Sequence, residues 1–205
     1  MANNALEANI YGVMGATGSG KSAWVKKNLL KKSLDRLAIW DFKREYGVDH
    51  ADLITENLGA AVRAIAGRKF RVSFRPSFDK ATRIQQFNVF CKAVWHAKNA
   101  FCLVEELAMV TTPQRSPEGW QQLTCTGRSE GITIVGLSQR PAQVDKDFFD
   151  NCTELHTGFL AGGRSRKVMA EELGVDEAEI VALGPLEFIH KKLRTKEISY
   201  GKVRF

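Results

Sequence analysis

The sequence predicts an α/β fold in which a mainly parallel sheet is covered by helices. Short apolar runs alternate with stretches of helical periodicity along the 205 residues, the order typical of parallel strands joined by helices. The run 100–104 is apolar throughout, as expected for a central strand buried on both faces, and 131–138 is a second run of this kind. A glycine-rich turn at 15–22 separates the first apolar run from an amphipathic helix.

Each predicted element has a local signal. Strand 70–74 is ended by Pro76, and helix 55–67 is bounded by Gly67. The predicted strands are 8–14, 37–41, 70–74, 100–104, 131–138 and 154–160, with a closing edge from 187–190 and 198–203. The predicted helices are 22–33, 55–67, 80–98, 120–126, 167–173 and 177–183. The residues of the longest helix expected to face the core are Ile84, Phe87, Val94 and Trp95.

Composition indicates a soluble protein. Hydrophobic residues make up 44% of the chain, enough for a core, but uncharged runs such as 131–137 are too short to cross a bilayer. The first residues lack a basic segment followed by an apolar one, so no secretory signal is expected. None of the four cysteines forms a Cys-x-x-Cys pair, which favours reduced thiols and no structural metal.

The net charge of +7 favours a polyanionic partner. Basic residues cluster in 26–36, after the glycine-rich turn, and in 191–204, at the C-terminus. A solvated surface rich in lysine is the structural alternative, and charge alone does not decide between the two interpretations.

The glycine-rich turn has the Gly-x-x-x-x-Gly-Lys-Ser spacing of a phosphate-binding loop, or P-loop. Its residues are Gly15, Ala16, Thr17, Gly18, Ser19, Gly20, Lys21 and Ser22. Because glycines lack a Cβ, successive backbone N–H groups can wrap closely around a β-phosphate. Lys21 is expected to reach the β- and γ-phosphates, and the Ser22 hydroxyl to bind Mg²⁺. The sequence therefore predicts an ATP and magnesium site.

Two carboxylates, Glu105 and Glu106, directly follow the buried strand 100–104. An α/β sheet binds its ligands at the carboxyl ends of its strands, where these side chains are expected. We assign Glu105 to magnesium, directly or through water, and Glu106 to activation of the attacking water. Acidic residues also favour the first turn of a helix, but the upstream P-loop favours the functional interpretation.

Strand 131–138 has polar residues at both ends. Gln139 and Arg140 follow it and Arg128 precedes it. Gln139 would face the γ-phosphate and the attacking water, while Arg128 and Arg140 are candidates to stabilise transition-state charge. Taken alone, the pattern is typical of a polar loop before a strand and a polar turn after it, and the functional interpretation gains weight only from the family resemblance given below.

Four blocks of sequence, in this order, resemble the HerA–FtsK superfamily of DNA-pumping ATPases. They are the P-loop, residues 40–46, the pair 105–106 and residues 127–141. The second block is similar to the family's Asp-Pro-Lys-Gly-Glu-Tyr, and the fourth to its Gly-Arg-x-x-Gly-Ile and Thr-Gln-Arg-Pro. Three positions depart from the pattern: Glu105 stands where Asp is usual, and Phe42 and Arg44 replace Pro and Gly.

The resemblance implies a RecA-like P-loop NTPase core that works as a homo-oligomeric, hexameric ring. It makes Gln139 a sensor of the γ-phosphate and implies an arginine finger acting across the subunit interface. Arg128 is the first candidate for that finger and Arg140 the second. Double-stranded DNA would be held through its phosphates without base reading, and Arg115 in the loop 111–118 is one candidate contact.

Length suggests a subgroup. Residues 1–205 are expected to form a single P-loop ATPase domain, with a motif core at 9–141 and a small C-terminal extension from about 150 to 205. This build is similar to the genome-packaging ATPases of tailless icosahedral viruses with an internal membrane. It implies packaging into a preformed capsid, capsid or membrane portal partners, and a place in the host cytoplasm or at the packaging vertex of the virion.

Two other functions stay open on the sequence. A small-molecule P-loop kinase has a similar size, and the segment 162–167 resembles the arginine-rich lid of such enzymes. A nucleotide-switched interaction protein, related to filamentous-phage assembly ATPases, is the other. DNA-stimulated hydrolysis would separate the translocase from both.

Overall fold

A computed structural model of the chain describes residues 8–204. The strands are β1 Ile10–Met14, β2 Arg36–Trp40, β3 Leu53–Thr55, β4 Phe70–Phe74, β5 Phe101–Val104, β6 Thr133–Ser138, β7 Glu154–Gly158, β8 Glu187–Lys192 and β9 Glu197–Lys202. The helices are α1 Lys21–Asn28, α2 Leu58–Ile65, α3 Lys80–Ala97, α4 Glu118–Thr126, α5 Lys146–Asn151, α6 Gly163–Leu173 and α7 Glu177–Val181. Residues 1–7, on which the expected absence of a secretory signal rests, lie outside this range.

The strands form one sheet in the order β3-β4-β2-β5-β6-β1-β7-β8-β9. The pairs from β3 to β7 are all parallel, while β8 pairs antiparallel with both β7 and β9. The P-loop strand β1 lies between β6 and β7, and the acidic pair follows β5, one strand beyond β6. The predicted α/β fold of the RecA-like P-loop type is therefore confirmed.

Alternate residues of the central strands build two cores, one on each face of the sheet. Trp40 of β2 is fully buried in the larger core, where its ring lies 4.9 Å from that of Phe87 and 5.5 Å from that of Phe90, both on α3. Each such aromatic side chain stabilises the fold by about 2–3 kcal/mol through burial. The smaller core packs Trp24 and Val25 of α1 against the other face, so the helix after the P-loop is anchored directly to the sheet.

Several predicted boundaries need correction. The predicted helix 55–67 is the short strand β3 followed by α2, because Asn57 caps the helix by accepting a hydrogen bond from the N–H of Ala60 at 2.9 Å. Helix α1 ends at Asn28 rather than at residue 33. The sequence analysis missed α5, a helix of 6 residues, which is too short for a periodic signal. Strand β4 was predicted to the residue.

The inward face of α3 also differs from the prediction. Phe87 and Val94 are buried as expected, together with Phe90 and Cys91, whereas Ile84 and Trp95 are half-buried. Trp95 is held away from the centre because its indole N–H donates to the Thr126 hydroxyl at 2.8 Å.

The C-terminal hairpin of β8 and β9 extends the sheet and returns the chain to the P-loop. Leu186 and Val203 pack so close to Gly20 that a Cβ there would lie 3.0 and 3.1 Å from their methyl groups. The Lys27 ammonium on α1 donates to the Arg204 carbonyl at 2.9 Å. Within residues 8–204, no helix is both long and apolar enough to span a bilayer.

Candidate nucleotide site

The P-loop is a wrapped turn tied to both neighbouring strands. Gly18 and Gly20 have φ angles of 77° and 86°, values that side chains disfavour. A Cβ on Gly15 would lie 2.3 Å from the Ser19 hydroxyl. The N–H of Gly15 donates to the Ser138 carbonyl at 3.1 Å, and that of Ala16 to the Phe159 carbonyl at 2.9 Å. The glycines are thus needed where the sequence places them.

The start of α1 supplies a positive environment for the loop. Gly20 caps the helix without a side-chain acceptor, so the first-turn N–H groups stay available to an anion. Lys21 is buried, and its ammonium donates to the Ala16 carbonyl at 3.4 Å inside the loop. Burial, and then the nearby Lys43 charge, lower the pKa of Lys21, and a bound polyphosphate would offset both effects. Ser22 is half-buried on the same first turn.

Glu105 lies fully buried at the carboxyl end of β5. One carboxylate oxygen accepts from the backbone N–H of Lys43 at 3.2 Å, and the other has no hydrogen-bond partner among the described residues. Burial, and then the negative charge of Glu45, raise its pKa to about 8. A buried carboxylate oxygen without a donor fits a hard cation, either directly or through water.

Glu106 is held by contacts on both sides of its carboxylate. Its backbone is left-handed, with a φ of 56°. One oxygen accepts from the N–H of Gln139 at 2.9 Å and from the Ser138 hydroxyl at 3.4 Å. The other oxygen lies 2.9 Å from the Lys43 ammonium in an ion pair. These contacts fix Glu106 between the ends of β6 and β2.

Gln139 connects the acidic pair with the P-loop. Its backbone N–H holds Glu106, while its side-chain oxygen accepts from the Thr17 hydroxyl at 3.2 Å. Residues that were predicted from three separate motifs therefore form one hydrogen-bonded assembly at the carboxyl edge of the sheet. The Ser19 hydroxyl is buried beside them without a partner among the described residues, a polar group suited to a phosphate oxygen.

The ion pair formed by Lys43 was not predicted. The turn that carries Lys43 is shaped by Asp41, whose buried carboxylate accepts from the N–H of Glu45 at 2.8 Å and from the Ser73 hydroxyl at 3.0 Å. The resemblance of residues 40–46 to the family pattern was the available signal. Its interpretation needed the adjacency of β2 and β5, which only the sheet order shows.

The two candidate arginines lie at opposite ends of the parallel strands, Arg140 after β6 and Arg128 before it. Arg140 is exposed directly after Gln139. Arg128 precedes β6, and its guanidinium donates to the Ala8 carbonyl at 3.2 Å, near the start of β1. Since β1 and β6 are parallel, Arg128 is remote from the P-loop of its own chain.

The segment suggested as a kinase lid begins α6. The guanidinium of Arg166 donates to the Ala161 carbonyl at 2.8 Å and lies 3.5 Å from a carboxylate oxygen of Glu177. These contacts tie Arg166 to the protein surface, whereas Arg164 of the same segment is exposed.

Comparison with known protein-family models finds no match for this chain. Among curated proteins, it is 27% identical over 175 residues to Protein P9 of Pseudoalteromonas phage PM2, covering 83% of this chain and 78% of that protein. Among solved structures, the genome packaging NTPase B204 of Sulfolobus turreted icosahedral virus 2, in complex with AMPPCP, superposes with a TM-score of 0.76 at 14% identity. That match covers 96% of this chain and 98% of B204.

More distant structures share the same architecture. The pCW3 conjugation coupling protein TcpA, in a complex with ATPγS, has a TM-score of 0.60 at 15% identity and covers 95% of this chain and 60% of TcpA. The N-terminal domain of zonular occludens toxin from Neisseria meningitidis has a TM-score of 0.52 at 14% identity, covering 96% of this chain and 95% of that one. The chain has the fold of P-loop ATPases. The predicted resemblance is thus confirmed at the level of the fold.

Proposed function

We propose that the protein is an ATPase that moves double-stranded DNA and packages a viral genome into a preformed capsid. The observation that carries the proposal is the assembly of Thr17, Gln139, Glu106 and Lys43, which links the P-loop to the acidic pair through direct contacts. The names of the similar proteins, a viral genome packaging NTPase and a phage protein, support the choice of DNA as cargo.

ATP with Mg²⁺ would supply the reactive phosphoryl group and neutralise the charge that develops on it. In this chain, residues 15–22 would hold the phosphates, with Lys21 at the β- and γ-phosphates. Ser22 and Glu105 would hold the metal ion, Glu105 directly or through water. One Glu105 oxygen has no hydrogen-bond partner among the described residues, and the loop turns closely around Gly15; both features fit these roles.

Glu106 would take the proton of the attacking water, and Lys43 would control when it does so. In the structure the Lys43 ammonium forms an ion pair with one oxygen of Glu106, so that oxygen is occupied. Gln139 contacts both Glu106 and Thr17, so a change at the γ-phosphate would reach the carboxylate through one side chain. Loss of the Lys43 contact would then release Glu106 for catalysis.

The wider assembly follows from the same proposal. The chain would act as a single ATPase domain in a homo-oligomeric ring, a hexamer, in which Arg128 of one subunit, or Arg140, completes the site at the interface. Basic residues facing the channel would hold DNA phosphates without base reading. Capsid or membrane portal proteins would place the ring at the packaging vertex, assembled from the host cytoplasm.

The test is ATP hydrolysis by the purified protein with and without double-stranded DNA across a salt series. Stimulation by DNA should fade as salt rises, since phosphate contacts release counterions, and Glu106→Gln should abolish it. Hydrolysis that is indifferent to DNA of any length would contradict the translocase and favour a nucleotide-switched interaction protein.

A further inference from the structure

A cavity of about 650 Å³ lies beside the P-loop residues Ala16 and Thr17. The carboxyl end of β6 and the first turn of α6 form its other walls. The residues that matter for its chemistry are Thr17, Gln139, Arg140, Phe159, Arg164 and Ser165. None of the residues that line it is acidic.

The lining is built to receive an anion. Arg140 and Arg164 are both exposed, and their guanidinium groups form no ion pair with a carboxylate of the described chain. Helix α6 has 11 residues, and its N-cap residue Gly162 supplies no side-chain hydrogen bond. The N–H groups of its first turn therefore remain available as donors. Two exposed cations and a helix N-terminus thus lie at one concavity.

Ser165 gives the second and independent indication of a ligand. It is only 9% exposed, yet its hydroxyl forms no hydrogen bond within residues 8–204 although the residue lines the cavity. The Ser165 hydroxyl itself is not sealed from the cavity, so its hydrogen-bonding capacity is open to a ligand there. A small oxyanion in the cavity would supply one for this hydroxyl.

The cavity shares Thr17 and Gln139 with the candidate nucleotide site. The Thr17 hydroxyl donates to the Gln139 side chain at 3.2 Å, and both residues line the cavity while belonging to the catalytic assembly. If Gln139 faces the γ-phosphate, as proposed above, a rotation of this one side chain opens a path from the γ-phosphate position to Arg140 and Arg164.

We propose that this cavity binds the inorganic phosphate released by hydrolysis, before it leaves the protein. The inference rests on the proposed ATPase activity. In that reaction the water oxygen bonds to the γ-phosphorus, and the bond from this phosphorus to the β–γ bridging oxygen breaks, leaving its electron pair on ADP. The water proton passes to Glu106. The free phosphate then crosses the Thr17–Gln139 contact and is held by Arg164, Ser165 and the start of α6.

The experiment is a calorimetric titration of inorganic phosphate into the protein saturated with ADP and magnesium, which fills the P-loop. Wild type should bind phosphate, and Arg164→Ala should weaken that binding about tenfold, the usual loss for a charged hydrogen bond. Ser165→Ala should weaken it by a smaller factor. Lys167→Ala, which removes an exposed charge one turn along the same helix and outside the cavity, should bind as wild type does.

The proposal is overturned if the ADP complex of wild type binds no phosphate, or if Arg164→Ala and Lys167→Ala have the same phosphate affinity. It is equally overturned if Arg164→Ala lowers DNA affinity while phosphate affinity stays unchanged, since the cavity would then be a DNA contact. Because the titration requires no hydrolysis, its outcome is independent of whether the protein proves to be an ATPase.

Discussion

The two ends of β6 show how differently one sequence block can be used. At the carboxyl end, Gln139 contacts the P-loop and Glu106. At the amino end, Glu130 forms an ion pair with Lys98 at 2.7 Å and its carbonyl accepts from the N–H of Asn99 at 2.9 Å. A strand of 6 residues separates the two ends, which is about 20 Å at the usual rise per residue.

The comparison shows that one block of sequence, residues 127–141, can contain both a structural turn and residues of the proposed nucleotide site. Gly131 has a φ of 73°, and a Cβ there would lie 2.4 Å from the Asn99 side chain. The amino end of β6 is thus a tight turn that serves the fold. The carboxyl end holds the proposed nucleotide site, as expected for a parallel sheet.

The largest effect should come from Glu106→Gln, with Glu130→Gln as its matched control at the other end of β6. Removing the proposed base should lower kcat at least about 100-fold, because the amide cannot accept the water proton. Glu130→Gln should keep full activity. Steady-state ATPase assays measure both, and equal losses in the two variants would break the distinction between the ends.

The next largest effects are expected from Arg140→Ala and Arg128→Ala, which test the arginines at the two ends of β6. Arg140→Ala should lower kcat by about 10- to 100-fold: at any protein concentration if Arg140 serves the site of its own chain, and only where rings form if it is the interface arginine. Arg128→Ala should lower it only at concentrations where rings form, because Arg128 reaches no P-loop within its own chain. ATPase rates measured against protein concentration, with sedimentation to follow assembly, check this. A loss with Arg128→Ala in the monomer would contradict the placement.

Lys43→Ala should raise ATP hydrolysis in the absence of DNA by about fivefold, the factor that corresponds to roughly 1 kcal/mol of ion-pair energy. The reason is that Glu106 loses the cation that holds it in place. The ratio of DNA-stimulated to basal activity should fall accordingly. Arg44→Ala, which removes the neighbouring Arg44–Glu56 ion pair, is the control. A lower basal rate in Lys43→Ala would show that Lys43 assists the chemistry instead of restraining it.

The smallest expected effect is on stability. The pKa of Glu105 is raised from 4.5 to about 8, so between these values the folded protein holds a proton that the unfolded chain has lost. Stability should therefore fall as pH rises through this range, by at most about 1.4 kcal/mol per pH unit from this group. Lys43, Glu45 and Asp41 surround the carboxyl and modulate its charge.

Urea unfolding without magnesium at several pH values measures that slope. Glu105→Gln should flatten it, because the amide does not titrate, whereas Glu130→Gln at the surface should leave it unchanged. Parallel slopes for wild type and Glu105→Gln would show that Glu105 is ionised in the folded protein throughout.

The sequence predicted those site residues whose roles depend on local chain geometry. The P-loop could be predicted because its glycines and Lys21 are adjacent in sequence, whereas Gln139 after strand 131–138 was predicted through the family resemblance of residues 127–141. The ion pair between Lys43 and Glu106 could not be predicted from the sequence. Lys43 is 62 residues from Glu105, the residue before Glu106, and only the pairing of β2 with β5 brings these segments together. The cavity at Arg164 likewise depends on how α6 packs beside the P-loop.

The fold was predicted in its class and in most of its strands for similar reasons. Buried parallel strands such as β5 and β6 are apolar almost throughout, which makes them visible in sequence. The strand β3 has only 3 residues, and its half-buried side chains have no clear alternation. Its identity depends on pairing with β4, a long-range interaction that local pattern does not show.

The measurement that tests the central claim most directly is displacement of a third strand from linear double-stranded DNA. A DNA motor moving along the duplex should release a triplex-forming oligonucleotide at a rate that depends on ATP. Glu106→Gln should bind the same DNA and release none. DNA-stimulated hydrolysis by wild type without any displacement would contradict translocation, and would leave an ATPase whose DNA contact serves another purpose.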